Sequence, residues 1–220
     1  MIQLQSACRF PAVDEVVATA RFRFANLVLG EDDPERAKDL YTHVLADCDP
    51  AWPVFAGILN NRGITWLELN HADQAIADFT AVINATVATD EARACAFNNR
   101  ADIHDDRGDT TAAIADRSAV LKLNETTYDR RYIALARRAR TLWKADDHDG
   151  ALRDVDAILS TADIVMEQKM AALLQRARWL VSDAPERAIT DLETVLSSAR
   201  NFPGVQERAQ ALLAQARASN

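Results

Sequence analysis

Apolar residues recur along most of the chain at the three- and four-residue spacing of an amphipathic helix. The clearest segment is residues 72–85, in which the apolar positions share one helix face: Ala75, Ile76, Phe79, Val82 and Ile83. A longer helix is predicted over residues 52–69, and the pair Asn70-His71 between the two segments is typical of a helix end. The pattern predicts a chain built from helix pairs, with a closing helix over residues 205–217.

The same helix pair recurs along the chain with a period of about 38 residues, which indicates a repeat protein. An arginine followed by glycine or alanine marks the first helix of each copy, at Arg62, Arg100, Arg138 and Arg176. An Ala-x-x-Asp block marks the second helix, beginning at Ala75, Ala113, Ala151 and Ala188, and the last of these copies is one residue short. A weaker copy, with Phe24-Ala25 in place of Arg-Gly, precedes them.

The repeats divide the sequence into three predicted segments. Residues 1–12 form a lead-in, residues 13–200 form the repeat array, and residues 201–220 form a C-terminal capping helix with a polar outer side. Within the array, the predicted units are residues 13–50, 51–88, 89–126, 127–163 and 164–200.

These blocks resemble the tetratricopeptide repeat, whose pattern is W-x2-L-G-x2-Y, then A-x3-F, then proline. In the second unit the match reads Leu59-x2-Arg62-Gly63-x2-Trp66, followed by Ala75-x3-Phe79. The longer period, the arginine in place of leucine and the missing proline are departures that suggest a bacterial-type variant. The resemblance implies an all-α, right-handed α-solenoid of five helix-turn-helix units with a C-terminal capping helix.

A periodic aspartate accompanies the periodic arginine, at a spacing that is constant in three units and one position shorter in the fourth. We call the four predicted pairs the Arg–Asp ladder: Arg62 with Asp78, Arg100 with Asp116, Arg138 with Asp154, and Arg176 with Asp191. We expect these pairs to tie together the helices of one unit or of adjacent units. The alternative is that the four arginines form a binding stripe.

Composition and charge narrow the classes of partner. A net charge of −8 and a pI near 5.0 argue against a general nucleic-acid or membrane-surface binder. No apolar run approaches the length of about 18 residues that spans a bilayer. The three cysteines, Cys8, Cys48 and Cys95, form no CxxC pair and predict neither a disulfide framework nor a zinc site. A cytoplasmic location is therefore expected.

The sequence contains no recognisable catalytic motif. HExxH, GxSxG and glycine-rich phosphate loops are all missing from it. His104 is surrounded by aspartates, but it occupies the tyrosine position of the repeat pattern, which favours packing between helices over metal ligation. We therefore predict no catalytic residue, no metal site and no cofactor.

In tetratricopeptide-repeat proteins the first helices of the units line a concave surface that binds partner peptides. The resemblance places these candidate binding residues on that surface: Asn60, Asn61, Ile64, Asn98, Asn99, Asp102, Arg137, Arg140, Trp143, Lys144 and Arg178. Family members that clamp the carboxylates of chaperone tails use lysines that are missing here, and Ile64 replaces an asparagine. These differences argue against chaperone-tail binding.

Charge is uneven along the predicted array. Residues 128–145 hold six basic residues and one acidic residue, whereas residues 90–109 hold six acidic and three basic residues. Arg137, Arg140 and Lys144 follow helical spacing. Trp143 lies beside them in the sequence, so this stretch is a candidate anchor for an acidic or aromatic-bearing segment.

Two alternatives remain open at these positions. Asp102 and Asp105 of the preceding unit could neutralise the basic stretch instead of leaving it for a ligand. Asn98 and Asn99 could bond a peptide backbone, or they could bridge helices, because an amide both donates and accepts hydrogen bonds.

The predicted function is a non-catalytic scaffold that binds a partner protein or peptide in its groove, with no nucleic acid and no membrane involved. One alternative is a regulatory or sensor module of a larger multidomain protein. Another is a self-assembling module that forms a homo-oligomer, with Phe22 and Phe24 either at the interface or in the core.

Overall fold

The computed structural model describes residues 14–162, 164–199 and 202–219. This part of the chain contains eleven α-helices and no β-strand. It forms two compact units, one ending at Arg130 and the other beginning at Arg131. The predicted lead-in over residues 1–12, together with Cys8, lies outside the described residues.

The first unit consists of helix hairpins, in which α1 packs on α2, α3 on α4, and α5 on α6. The bounds are α1 (Glu15–Gly30), α2 (Pro34–Asp47), α3 (Val54–Glu68), α4 (Ala72–Asn84), α5 (Asp90–Asp106) and α6 (Thr110–Lys122). Side chains that accept a hydrogen bond from the first helical turn fix several of these starts, including Asp14, Asp33, Thr89 and Asp109.

The turns inside the first four of the five hairpins share a backbone conformation. Asp32, Asn70 and Gly108 occupy the same position of successive repeats and have φ angles of 63°, 62° and 76°. Asp146 repeats this feature in the second unit, with φ at 62°. Glycine, asparagine and aspartate tolerate the left-handed region better than other residues, so the sequence places a helix end at the same point of these four repeats.

The second unit contains the remaining five helices, of which α7 begins just before the boundary. Their bounds are α7 (Tyr128–Lys144), α8 (His148–Leu159), α9 (Met166–Leu180), α10 (Pro185–Ser198) and α11 (Pro203–Ala218). Buried Ala139, Val155 and Ile158 belong to a core shared by α7, α8 and α9. Leu192 and Leu213 belong to a second core, shared by α9, α10 and α11. Within the described ranges, every helix is too short or too polar to span a lipid bilayer.

The two phenylalanines of α1 have different environments. Phe22 packs against the buried Tyr41, with ring centroids 6.1 Å apart. Phe24 is about half exposed, on a helix that also exposes Val16 and Leu27.

A glycine allows α3 and α4 to approach closely. A methyl group on Gly63 would lie 2.6 Å from Cε1 of Phe79, a side chain that is fully buried. Real carbon contacts are not this short, and a ring enclosed on all sides has no free space into which it can move. Gly63 is therefore required by the aromatic residue that faces it.

Gly63→Ala should lower the free energy of unfolding by about 1–3 kcal/mol, because the added methyl group overpacks the core against Phe79. Gly57→Ala on the same helix is the matched control, since its methyl group would meet only Phe22, at 3.6 Å. That control should be neutral or gain up to about 1 kcal/mol from the better helix propensity of alanine. Urea unfolding followed by circular dichroism measures both, and equal midpoints for the two variants would contradict the packing argument.

Candidate functional site

The Arg–Asp ladder residues of the first unit form two-pronged ion pairs between the helices of one hairpin. Nε of Arg62 lies 2.8 Å from Oδ2 of Asp78, and its Nη2 lies 2.7 Å from Oδ1. Arg100 and Asp116 have the same geometry, with the same two distances. The aspartates are buried and the arginine side chains are about one-fifth exposed. Parallel N–H···O bonds of this kind are the strongest form of the Arg–carboxylate interaction.

The ladder pairs of the second unit repeat this geometry. Arg138 reaches Asp154 at 2.8 and 2.6 Å, and Arg176 reaches Asp191 at 2.8 and 2.7 Å. Arg176 also donates from Nη1 to Asp156 on the preceding second helix. Each guanidinium is thus held in a fixed orientation inside its own hairpin.

In the first unit the remaining guanidinium nitrogen also reaches the preceding hairpin. Nη1 of Arg100 donates to Oγ1 of Thr80 at 2.8 Å, and Nη1 of Arg62 donates to Oγ1 of Thr42 at 3.3 Å. One arginine therefore joins three helices. Because their donors are used within the protein, these arginines offer little to a ligand.

The asparagines among the candidate binding residues of the first unit are engaged inside it. Asn60 and Asn98 are 6% and 3% exposed, and each donates from Nδ2 to a backbone carbonyl of the next hairpin, those of Ala92 and Arg130. Asn61 donates to Asn26 at 2.8 Å, and Asn99 contacts the sulfur of Cys95 at 3.6 Å. Ile64 packs against the core. Asn60 and Asn98 thus bridge helices, and their burial keeps them away from a bound peptide.

Asp102, also a candidate binding residue, forms part of an ion-pair cluster that the sequence reasoning missed. Arg117 occupies the aromatic position of its repeat, where Phe79 stands in the preceding one, and its side chain is 1% exposed. Its Nη2 lies 2.8 Å from Oδ1 of Asp102, and its Nη1 lies 2.6 Å from Oδ2 of Asp105. The only signal in the sequence was the break in the Ala-x3-aromatic pattern, which did not by itself point to an ion pair.

The other candidate residues cluster in the second unit, on the facing sides of α7 and α9. A depression of about 450 Å³ lies there, and each helix contributes three lining residues at helical spacing. We call these six residues the α7–α9 face: Arg140, Trp143, Lys144, Gln175, Arg178 and Trp179. Arg140 and Arg178 occupy the same position of consecutive repeats. Trp179 was not among the predicted binding residues.

Three aromatic rings form a stack along the α7–α9 face. Trp143 lies almost parallel to Trp179, with centroids 4.6 Å apart, and its other side stacks on His148 at 4.0 Å. Both faces of the Trp143 ring are therefore occupied within the protein. The stack leaves the ring edge to line the depression, so Trp143 makes a rigid wall and not a platform for a ligand's aromatic ring.

The three cations of the α7–α9 face are exposed to solvent. In the part of the chain that the structure describes, Arg140, Lys144 and Arg178 are exposed and form no salt bridge with a carboxylate. Burial lowers the pKa of the nearby Arg137, and the charge of Arg140 lowers that pKa further. The effect of Arg140 shows that two positive charges lie close together here, and clustered positive charge favours an anionic ligand.

Guanidinium and ammonium groups can form charge-assisted hydrogen bonds with carboxylates. Among the described residues, no group of three or more histidine, cysteine, aspartate or glutamate side chains is arranged to hold a metal ion.

Comparison with known proteins identifies the fold. No protein-family model matches the sequence, and no curated protein sequence matches it. Among solved structures, a tetratricopeptide repeat protein from Parabacteroides merdae is similar over 92% of this chain and 77% of its own, at 16% identity and a TM-score of 0.66. MamA is similar over 89% of this chain and 93% of its own, at 15% identity and a TM-score of 0.53.

A third similar structure comes from an assembly of proteins. The Cut9–Hcn1 hetero-tetramer of APC/C matches 90% of this chain at 17% identity and a TM-score of 0.60, and the match covers 36% of that structure's chain. At these identities the similarity establishes the fold, which is the all-α helix-hairpin repeat of tetratricopeptide-repeat proteins.

Proposed function

Because the fold is that of tetratricopeptide-repeat proteins, we propose that this chain is a non-catalytic interaction scaffold whose α7–α9 face binds an acidic segment of a partner protein. One observation carries the proposal. Arg140, Lys144 and Arg178 surround a depression of about 450 Å³ without an ion-pair partner among the described residues. Carboxylates of a partner would supply the missing counter-charges and bond the guanidinium groups at the same time.

The remaining polar candidate residues support this choice of site by elimination. Asn60, Asn98 and Asp102 already have partners within the first unit, and a ligand would have to break those contacts to use them. The exposed cations of the second unit need no such rearrangement. The acidic net charge of −8 also makes a concentrated basic face unusual for this chain and disfavours a general affinity for nucleic acid.

The test is selection of short random peptides displayed on phage against the whole chain. Wild type should enrich sequences rich in aspartate and glutamate, and a variant with Arg140→Glu and Arg178→Glu should not. For the enriched peptides, fluorescence anisotropy should give an affinity at least about a hundredfold lower with the variant, since two hydrogen-bonded charge pairs are lost. Binding to wild type should also weaken as salt is raised.

A matched variant separates the site from overall charge. Arg36→Glu with Arg153→Glu makes the same change in net charge at exposed arginines outside the α7–α9 face, so it should bind the peptides as wild type does. Enrichment of peptides without acidic residues, or an equal loss of affinity in both double variants, would refute the proposed site.

A further inference from the structure

A second depression of the second unit adjoins the α7–α9 face. It lies between α9 and α11, has a volume of about 340 Å³, and we call it the α9–α11 pocket. Buried Met170 contributes to its lining, and half-buried Leu174, Phe202, Val205 and Leu212 supply most of its remaining apolar surface. This volume falls in the range of roughly 300–1,000 Å³ that is typical of ligand pockets.

Two side chains connect the pocket to the cationic site. Arg178 and Gln175 line both the α9–α11 pocket and the depression of the α7–α9 face. A single bound segment can therefore place an acidic group against Arg178 and an adjacent apolar side chain in the pocket. The exposed Arg208 is a second cation at this pocket. Glu167 is the one carboxylate among the lining residues, so the two arginines leave the lining with a net positive charge.

We infer that the acidic partner segment carries one large apolar residue, such as leucine, methionine or phenylalanine, which inserts into the α9–α11 pocket. This inference rests on the proposed function and specifies its ligand. Positive charge at the rim of the pocket favours an acidic segment as its occupant. The apolar pocket opens beside cations that lack an ion-pair partner among the described residues. The flexible methionine side chain adapts to neighbours of different shape, so a pocket lined by Met170 can accept any of several large apolar side chains.

The peptides selected against wild type provide the test. Their acidic residues should be accompanied by a large apolar residue at a constant spacing. Replacing that apolar residue by asparagine in a synthetic peptide should lower the affinity measured by anisotropy about tenfold, because burial of its side chain is lost. This comparison leaves the protein unchanged, so a folding defect cannot imitate it.

A protein variant tests the location of the pocket. Val205→Phe fills the pocket without altering charge, and the matched control Ala211→Phe adds the same side chain at an exposed position of α11 outside the pocket. The first should abolish the advantage of the apolar peptide over its asparagine version, and the second should preserve that advantage. Thermal melting should verify that both variants are folded.

Failure of the inference and failure of the proposed function give different results. Acidic peptides with no preferred apolar residue, or an unchanged preference in Val205→Phe, would overturn the pocket assignment and leave the acidic-segment site in place. Selection of apolar peptides without acidic residues, or of no peptide, would overturn the proposed function, and the inference would be overturned with it.

Discussion

Replacing Arg117 with alanine is expected to lower the free energy of unfolding by about 3 kcal/mol. Two losses combine in that figure. The long side chain is 1% exposed, so its removal leaves a cavity between α5 and α6. The carboxylates of Asp102 and Asp105 would also repel each other once the guanidinium that pairs with both is gone. Each is about one-third exposed, so hydration offsets part of this penalty. Urea unfolding measures the change.

Arg117→Met separates the two losses. Methionine fills much of the space left by the arginine stem, so this variant should lose less stability than Arg117→Ala, and the difference gives the cavity contribution. Adding Asp102→Asn and Asp105→Asn to Arg117→Met should recover part of the remaining loss, because the paired negative charges are gone. An Arg117→Ala protein that unfolds at the wild-type urea concentration would show that the buried ion-pair cluster contributes no net stability.

The fold could be predicted from the sequence because every repeat has the same helical period. Helices predicted over 52–69 and 72–85 are observed as α3 (Val54–Glu68) and α4 (Ala72–Asn84), and the closing helix predicted over 205–217 is observed as α11 (Pro203–Ala218). The spacing of apolar residues within one short segment indicates a helix and its buried side, so this prediction needs no knowledge of the neighbouring helices. The pair Asn70-His71, typical of a helix end, also marked the boundary between α3 and α4 correctly.

The side-chain contacts of the candidate site could not be predicted in the same way, because they depend on residues of other helices. Asn98 follows a helical phase that the family uses for ligands, yet its side chain is buried and donates to the backbone carbonyl of Arg130. Both faces of Trp143 are covered by residues from other segments, Trp179 and His148. Nor does a repeat pattern predict exceptions such as Arg117. A periodic sequence therefore predicts architecture better than it predicts which polar residues remain available to a ligand.

Arg100→Ala is expected to lower the free energy of unfolding by about 3–5 kcal/mol, because it leaves the Asp116 carboxylate buried without its partner. Asp116 is 6% exposed, and both of its oxygens accept hydrogen bonds from Arg100. The same substitution removes the bond to Thr80 on the preceding hairpin, so contacts to two neighbouring helices disappear together. Urea unfolding followed by circular dichroism is the measurement.

Arg21→Ala is the matched control, since Arg21 also pairs with an aspartate of the first unit, Asp47, at 3.0 Å. Both members of that pair are about half exposed, so its loss should cost no more than about 1 kcal/mol. The contrast between the two variants measures what burial adds to an otherwise similar Arg–Asp contact. Equal losses would mean that the ladder pairs behave as surface ion pairs despite their burial.

A paired substitution distinguishes the loss of attraction from the penalty of an unpaired charge. If the penalty dominates, Arg100→Leu together with Asp116→Ala should be more stable than Arg100→Ala alone, because the double variant buries no charge. A double-mutant cycle from this double variant and the single variants Arg100→Leu and Asp116→Ala then gives the coupling energy of the pair. A double variant as unstable as the sum of the single variants would mean that Arg100 and Asp116 act independently. The ladder would then orient the helices without holding them together.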